Sequence, residues 1–383
     1  MSTLKVNAIR GTGASSDAVT LASDGSCIVK ATNNLSNRNK LYNPDLKIWQ
    51  RGTSFSPTTS AIYGADRWNN AIGSSFNGDT TVTRSTDVPA NSRTSYSIKI
   101  EADAAVTPTG GQNMVFRQIL EGQDLQDFDF GTSSAQSLVA SFWCKCNATA
   151  AGAYSFSPRF MDSSGNGYGQ IHTFTPTTSW VRYTFVLAAN GKALDTAIRN
   201  DNQMGFEFAI HLADGPDDQS SASSTWAAQA WYGTGAKNFM DNAANEIYFT
   251  GFQLETGDKA TDLEVRSYGD EFARCQRYYY RMASGTNKYL ASGGYYTSGL
   301  FACVFSFPTT MRTTPTLDYL TGTDRYLIFR EGASDGVNAL SLVQPHENGG
   351  GFDVTNGASG TQGVAGFLGT NNNDIHVSFT AEL

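Results

Sequence analysis

The chain has 383 residues, enough for one to three domains and a sizeable core. Only 16% of residues are charged, and 38 Gly, 17 Tyr and 23 Phe favour turns and half-buried sheet over helical bundles. The net charge of −8 speaks against a nucleic-acid partner, no apolar run reaches bilayer length, and the N-terminus lacks a signal peptide's apolar segment.

Residues 1–38 read as an N-terminal segment and linker. Leu4, Val6 and Ala8 alternate. Val19 and Leu21, the Asp24-Gly25-Ser26 turn, then Cys27 and Val29 form a hairpin pattern. The piece is too small to bury a core and is expected to pair with other chains. "KATNNLSNRNK", residues 30–40, is polar and reads as linker.

Residues 39–266 carry short period-two runs between turn residues. One face collects Tyr96, Ile98 and Ile100, and another Leu138, Ala140, Phe142, Cys144 and Cys146. Val181, Tyr183, Phe185 and Leu187 make a third, and Phe206, Phe208, Ile210 and Leu212 a fourth. This predicts an antiparallel β-sandwich or barrel, because no ten-residue helical patterns alternate with the strands. The five scattered cysteines describe no disulfide framework, and Cys144 and Cys146 read as small buried hydrophobes.

Residues 267–282 predict a connecting helix. Val265, Tyr268, Phe272, Cys275, Tyr279 and Met282 are spaced 3, 4, 3, 4, 3, a narrow stripe. Two readings stay open: a helix packed on its own copies at a symmetry axis, or a single helix capping the sandwich. Asp270 and Arg274, four apart, are placed to pair for about 0.2–0.5 kcal/mol. The Tyr278–Tyr280 run suits strand equally. Residues 283–383 alternate again, through "DRYLIFREG" to Ile375, Val377 and Phe379, and predict a smaller C-terminal β domain.

Three patterns raise the question of chemistry. Asp124, Asp127 and Asp129 in "DLQDFDFG" offer oxygens for Ca²⁺, or a carboxylate pair for glycoside hydrolysis. Solvated turn carboxylates are the plainer reading, since two residues apart on one strand make a poor cleft. "GASDG", residues 332–336, fits the nucleophile-elbow spacing, but strand-like "VNALSLV" follows where a helix is required, so a turn is expected. His172, His211, His346 and His376 sit near no Ser or Cys signature, and no phosphate-binding glycine loop appears.

The longest motifs lie at the ends of the 39–266 region. Asn43, Trp49-Gln50-Arg51-Gly52-Thr53-Ser54, Tyr63 and Ala65-Asp66-Arg67-Trp68 open it; "QLETGDKATDLEVRSYGDEFARCQRYY", residues 253–279, closes it. These resemble the carbohydrate-binding-module-like jelly roll of bacteriophage tail fibres. "MRTTPT" and "FTAEL" are similar to the small β tip of such fibres, and "STLKVNAI" to phage virion-attachment segments.

The resemblance implies an elongated homotrimer in the virion, made in the host cytoplasm and anchored by its N-terminus to other tail or capsid proteins. It presents β domains to host surface polysaccharide. Jelly rolls of this type often carry a structural Ca²⁺; from the residues themselves no nucleic acid, membrane insertion or enzymatic activity is expected, and no cofactor or metal ligand is assigned. A polysaccharide-degrading tailspike and a purely structural head fibre or decoration protein are the alternatives. Within the motif, Trp49 and Trp68 beside an Arg51/Asp66 pair are expected to hold a chain end, with the pair bidentate. The loop 214–242 is longer than such loops usually are. It carries Trp226, Trp231 and Tyr232 among Ser, Ala and Gly, with Asp214, Asp217 and Asp218 upstream. Sugar rings stack on aromatic faces, so these three are the candidate glycan-binding residues, set against an anchoring role for the indoles.

Overall fold

An antiparallel strand sends successive side chains to opposite faces, so a period-two run settles with its apolar half inward. A computed structural model describes residues 6–13, 17–21, 27–29, 37–56, 61–73, 76–228 and 232–383, and the four alternating runs of the 39–266 region form strand. At the N-terminus, Ala8–Ile9, Val19–Leu21 and Cys27–Val29 make a three-stranded sheet, with Val19 opposite Val29 and Leu21 opposite Cys27. The expected Asp24-Gly25 turn lies outside the described residues.

The linker reading fails at residues 37–40. The backbone N–H groups of Asn37 and Asn39 donate to the two oxygens of Glu264 (2.6 and 2.7 Å). The Asn39 amide donates to Phe252 O, and its Oδ1 accepts from the backbone of Leu41 and Leu254. An amide that can donate and accept fastens a polar chain as firmly as apolar contacts do.

The sandwich is built from two antiparallel sheets. One runs in the order Val181–Leu187, Leu138–Cys146, Glu246–Thr256, Ser97–Ala102, Thr80–Ser85, Ser54–Phe55. The other centres on Met204–Asp214 and Asn113–Glu121. It is flanked by Asn69–Gly73 and Ile62–Tyr63 on one side, and by Tyr154–Phe156, Arg159–Met161, Gly167–Phe174 and Ser223–Ala228 on the other. This is the predicted jelly-roll sandwich. Its core is aromatic: the Trp68 ring lies 3.9 Å from Phe252 and 5.2 Å from Phe116, and Phe142 meets Phe156, Phe174, Phe208 and Phe249. Each such side chain contributes about 1.5–3 kcal/mol by leaving water.

The predicted helix is shorter than its stripe. It spans Tyr268–Gln276, and Tyr279–Ser284 is already strand, so Tyr279 and Met282 belong to another surface. The Asp270–Arg274 pair does not form. Ser267 caps the helix, accepting from Asp270 N and donating to Asp270 Oδ2 (2.6 Å), while Arg274 donates to Asn37 Oδ1. A capping bond is worth more than a surface ion pair at this spacing. Cys275 is buried, but Val265 and Tyr268 stay exposed.

The C-terminal module is a second small sandwich. Three strands, ordered Tyr279–Ser284, His376–Thr380, Thr316–Tyr319, face a seven-stranded sheet. That sheet is ordered Ala333–Val337, Tyr326–Arg330, Ala365–Thr370, Tyr289–Thr297, Leu300–Ser306, Gly349–Val354, Ser341–His346. Phe301, Tyr326, Ile328, Phe352, Leu368 and Phe379 fill its core.

The three sequence motifs converge where the modules meet. Trp68 is central core, as its anchoring role requires, and Trp49 donates to Leu46 O. The expected Arg51–Asp66 pair is replaced by other partners. Asp66 accepts from the backbone of Gln50, while Arg51 pairs with Glu382 (3.2 Å) and lies over the Tyr279 ring. Arg67, which carried no assigned role in the sequence, is the buried centre. It pairs with Glu382, donates to Ile119 O and stacks on Tyr278. Arg277 grips Glu121 through two hydrogen bonds (2.7 and 2.8 Å), and Arg312 donates to Ala381 O, Glu382 O and Asn202 O.

Candidate functional site

The eight-stranded sheet turns Phe116, Phe206, Phe208 and Ile210 to the core, so the alternate residues face outward. Register then aligns them in rows, because opposed residues of antiparallel strands share a face. One row runs Tyr63, Asn69, Arg117, Ala209. The next runs Ile119, Glu207, Arg159, Gly169. A third runs Ala71, Val115, His211, Ser155. Ser157 follows Ser155 by two and joins the face where its N–H donates to Ala209 O (2.9 Å).

Glu207 is the hub of this face. Arg117 Nη1 donates to Oε1 and Arg159 Nη2 to Oε2, each at 2.7 Å. Burial pushes the Glu207 carboxyl up, but the Arg159 and Arg117 charges outweigh it and hold the group below the ordinary carboxylate range. It is an ionised acceptor between two cations. Nearby, His211 Nδ1 lies 2.9 Å from Asp214 Oδ1. Asn69 Oδ1, Ser157 Oγ and Arg117 Nε are buried on this face without a hydrogen-bond partner. Buried polar atoms normally find one, so an acceptor, a hydroxyl and a donor left unsatisfied on one sheet face stand out, although each is closed off from solvent by its neighbours.

The glycan-binding residues expected in the long loop are placed otherwise. Trp226 and Tyr232 are each only 1% exposed. Trp226 packs edge-on to Phe130 and Phe160 and donates to Ala188 O (3.0 Å); Tyr232 donates to Lys237 O (3.0 Å). Neither ring offers a face to a sugar, because strand Ser223–Ala228 joins the sheet edge and turns its apolar residue inward. Trp231 lies outside the described residues.

The aspartates of "DLQDFDFG" diverge as well. The segment is a 3₁₀ helix, Gly122–Phe128, not strand. Asp124 accepts from the Tyr42 hydroxyl (2.7 Å), Asp127 pairs with Lys40 (2.8 Å), and Asp129 ends the helix in the left-handed region. Among the described residues, no cluster of three or more His, Cys, Asp or Glu could hold a metal. "GASDG" is the turn and return strand of a hairpin, with Asp335 paired to Arg330.

Sequence reasoning missed the Arg117–Glu207–Arg159 row. Its signal was a charge at the outward position of each strand, as Glu207 between two phenylalanines, but strands far apart in sequence do not announce their register. A second surface was also unforeseen. The outer face of the seven-stranded C-terminal sheet is apolar: Tyr289 is 69% exposed, Phe367 52% and Val304 78%. Phe329 and Phe367 are opposed in register and line an open groove of about 850 Å³ with Ser292 and Gly366.

No family model and no curated protein matches the chain. Among solved structures, it is similar to the enzymatically active domain of tailspike protein 4 from bacteriophage CBA120, at 15% identity and a TM-score of 0.28. The match covers 57% of this chain and 22% of that one, so the chain spans under a quarter of the tailspike domain's length. A family 11 carbohydrate-binding module from Clostridium thermocellum matches at 14% identity and a TM-score of 0.27, over 54% of this chain and 97% of the module. A putative sugar-binding protein from Bacteroides thetaiotaomicron matches at 11% identity and 0.30, over 57% and 100%.

Proposed function

We propose that this chain is a non-enzymatic fibre protein of a bacteriophage particle. Its N-terminal segment attaches to the virion, three copies assemble side by side, and the β modules bind host cell-surface glycan. The observation that carries the binding reading is the outer face of the eight-stranded sheet. There Arg117, Glu207 and Arg159 form a fixed ionic row beside buried, unpartnered hydrogen-bonding atoms on Asn69 and Ser157. The motif resemblance supports the virion setting. Assembly with further chains is supported by the exposed Tyr289, Phe367 and Val304, since wide apolar patches mark interaction surfaces; the number three comes from the motif resemblance.

A face whose reachable charged groups are the partly exposed Arg117 and Arg159 binds a sugar weakly. Three copies on one fibre raise the effective concentration and with it the avidity, with no deep pocket required. The test is retention of the purified protein on host cells and on host polysaccharide, with sedimentation to weigh the assembly. The reading predicts a three-chain mass and retention without new reducing ends. A monomer that ignores host polysaccharide overturns it, and release of reducing ends turns it toward a tailspike enzyme.

A further inference from the structure

We propose that a pocket on the opposite, six-stranded sheet binds a carboxylate-bearing sugar residue. This deepens the glycan-binding reading on which it rests, naming a substrate class and a second contact point. The pocket holds about 140 Å³ and is lined by Trp143, Arg182, Arg93, Asp262, Asn91 and Ser92.

One of its donors, the Trp143 indole N–H, is unspent. The indole N–H groups of Trp49, Trp68, Trp180 and Trp226 all donate within the chain, to Leu46 O, Asn43 O, Asp87 Oδ1 and Ala188 O. Trp143 alone among the described tryptophans has no such acceptor, and it lines a polar hollow. Trp143 is half-buried, so its N–H remains within reach of a ligand entering the hollow. Arg182 donates to Ser141 Oγ (3.0 Å) and Thr261 O, but touches no carboxylate among the described residues. Burial draws its pKa down while the more distant Asp262 and Glu255 charges hold it up, so the cation is only partly compensated. A guanidinium that touches no carboxylate and a neighbouring N–H donor together suit one kind of group, a carboxylate.

The walls are built at local cost. Asn91 (φ 61°) and Arg93 (φ 62°) are both left-handed, a conformation that side chains other than glycine's resist by roughly 1–2 kcal/mol each. The loop is pinned by Ser92 Oγ donating to Pro89 O (2.7 Å) and by Arg93 pairing with Asp262 (3.0 Å). Gly251 (φ 64°) sits at the bulge opposite Trp143, and a Cβ there would come within 2.9 Å of the indole Cδ1. Only glycine lets the ring lie against that backbone. Asp262 and Asn91 also line the pocket and offer polar groups to ring hydroxyls.

The test titrates the intact protein with the methyl glycoside of a hexuronic acid, the matching neutral hexoside, and inorganic phosphate, reading tryptophan fluorescence and calorimetric heat. Binding of the uronate on the order of millimolar is expected, with the neutral sugar about tenfold weaker. Arg182→Gln should remove that preference. Trp143→Phe, which keeps a ring but deletes the N–H, should weaken the uronate severalfold; it decides the matter if Arg182→Gln fails to fold. Equal affinity for both sugars, no change in either folded variant, or full competition by phosphate overturns the proposal. If host polysaccharide is still retained in that case, this pocket falls and the reading of the eight-stranded sheet's outer face stands. If uronate binds while Arg117→Gln leaves retention intact, that outer-face reading falls instead.

Discussion

The guanidinium carbon of Arg67 lies 3.4 Å from the ring centre of Tyr278, and the same guanidinium pairs with Glu382, the penultimate residue. The opening motif, the closing motif and the chain end therefore meet at one buried cation. Breaking a buried ion pair leaves the surviving charge uncompensated, which costs about 3–5 kcal/mol. Arg67→Met and Glu382→Gln should each lower the melting temperature. Because they remove one contact, the double variant should lose less than the sum, by roughly 1–3 kcal/mol. Strict additivity in chemical denaturation would show that the pair does not couple the modules.

Glu121 is the second clasp. Arg277 grips both its oxygens and the Tyr278 hydroxyl donates to Oε1. Burial raises its carboxyl, but the Arg277 and Tyr278 hydrogen bonds prevail and hold it below the ordinary value. A depressed carboxylate stabilises the fold above its unfolded pKa, and that stability is lost as pH falls through the folded value. Glu121→Gln should cost about 3 kcal/mol at neutral pH and much less in acid. An equal cost at both pH values would contradict the ion-pair account.

His172 should make the sandwich acid-sensitive by a different route. It packs between Phe156 and Phe185, and burial pushes its pKa down to about 4. The unfolded chain, with an imidazole near 6.5, binds the proton first, so stability falls as pH drops from about 6.5 toward 4, by up to about 1.4 kcal/mol per unit. His172→Gln should flatten the urea midpoint against pH across that window. A wild-type slope retained in the variant would assign the effect to other groups.

Trp226 belongs to the core, so Trp226→Ala should destabilise by about 3–5 kcal/mol, and Trp226→Phe by much less. Sugar binding per folded molecule should not change in the Phe variant. A folded Trp226→Ala protein with full stability and no glycan binding would restore the exposed-loop picture.

The sandwich and its inward residues were legible because alternation is local: Phe142, Phe206 and Phe208 state their face within a few residues. The helix stripe misled because Tyr279 and Met282 continue a 3–4 spacing by chance into a strand where tyrosine is equally at ease. For Trp226 the Ser- and Ala-rich neighbours leave a glycan patch and a loop anchor both open, and its place against Phe160 inside strand Ser223–Ala228 settles for burial. The Arg117–Glu207–Arg159 row needed the register of Asn113–Glu121, Met204–Asp214 and Arg159–Met161, and no local pattern encodes it.

The central claim is that the outer face of the eight-stranded sheet meets the host glycan. Adsorption of the purified protein to host polysaccharide, compared among wild type, Arg117→Gln and Ser157→Ala, addresses it directly. With melting temperatures near wild type, both variants should lose most of their adsorption. Undiminished adsorption by both folded variants would place the contact elsewhere on the molecule.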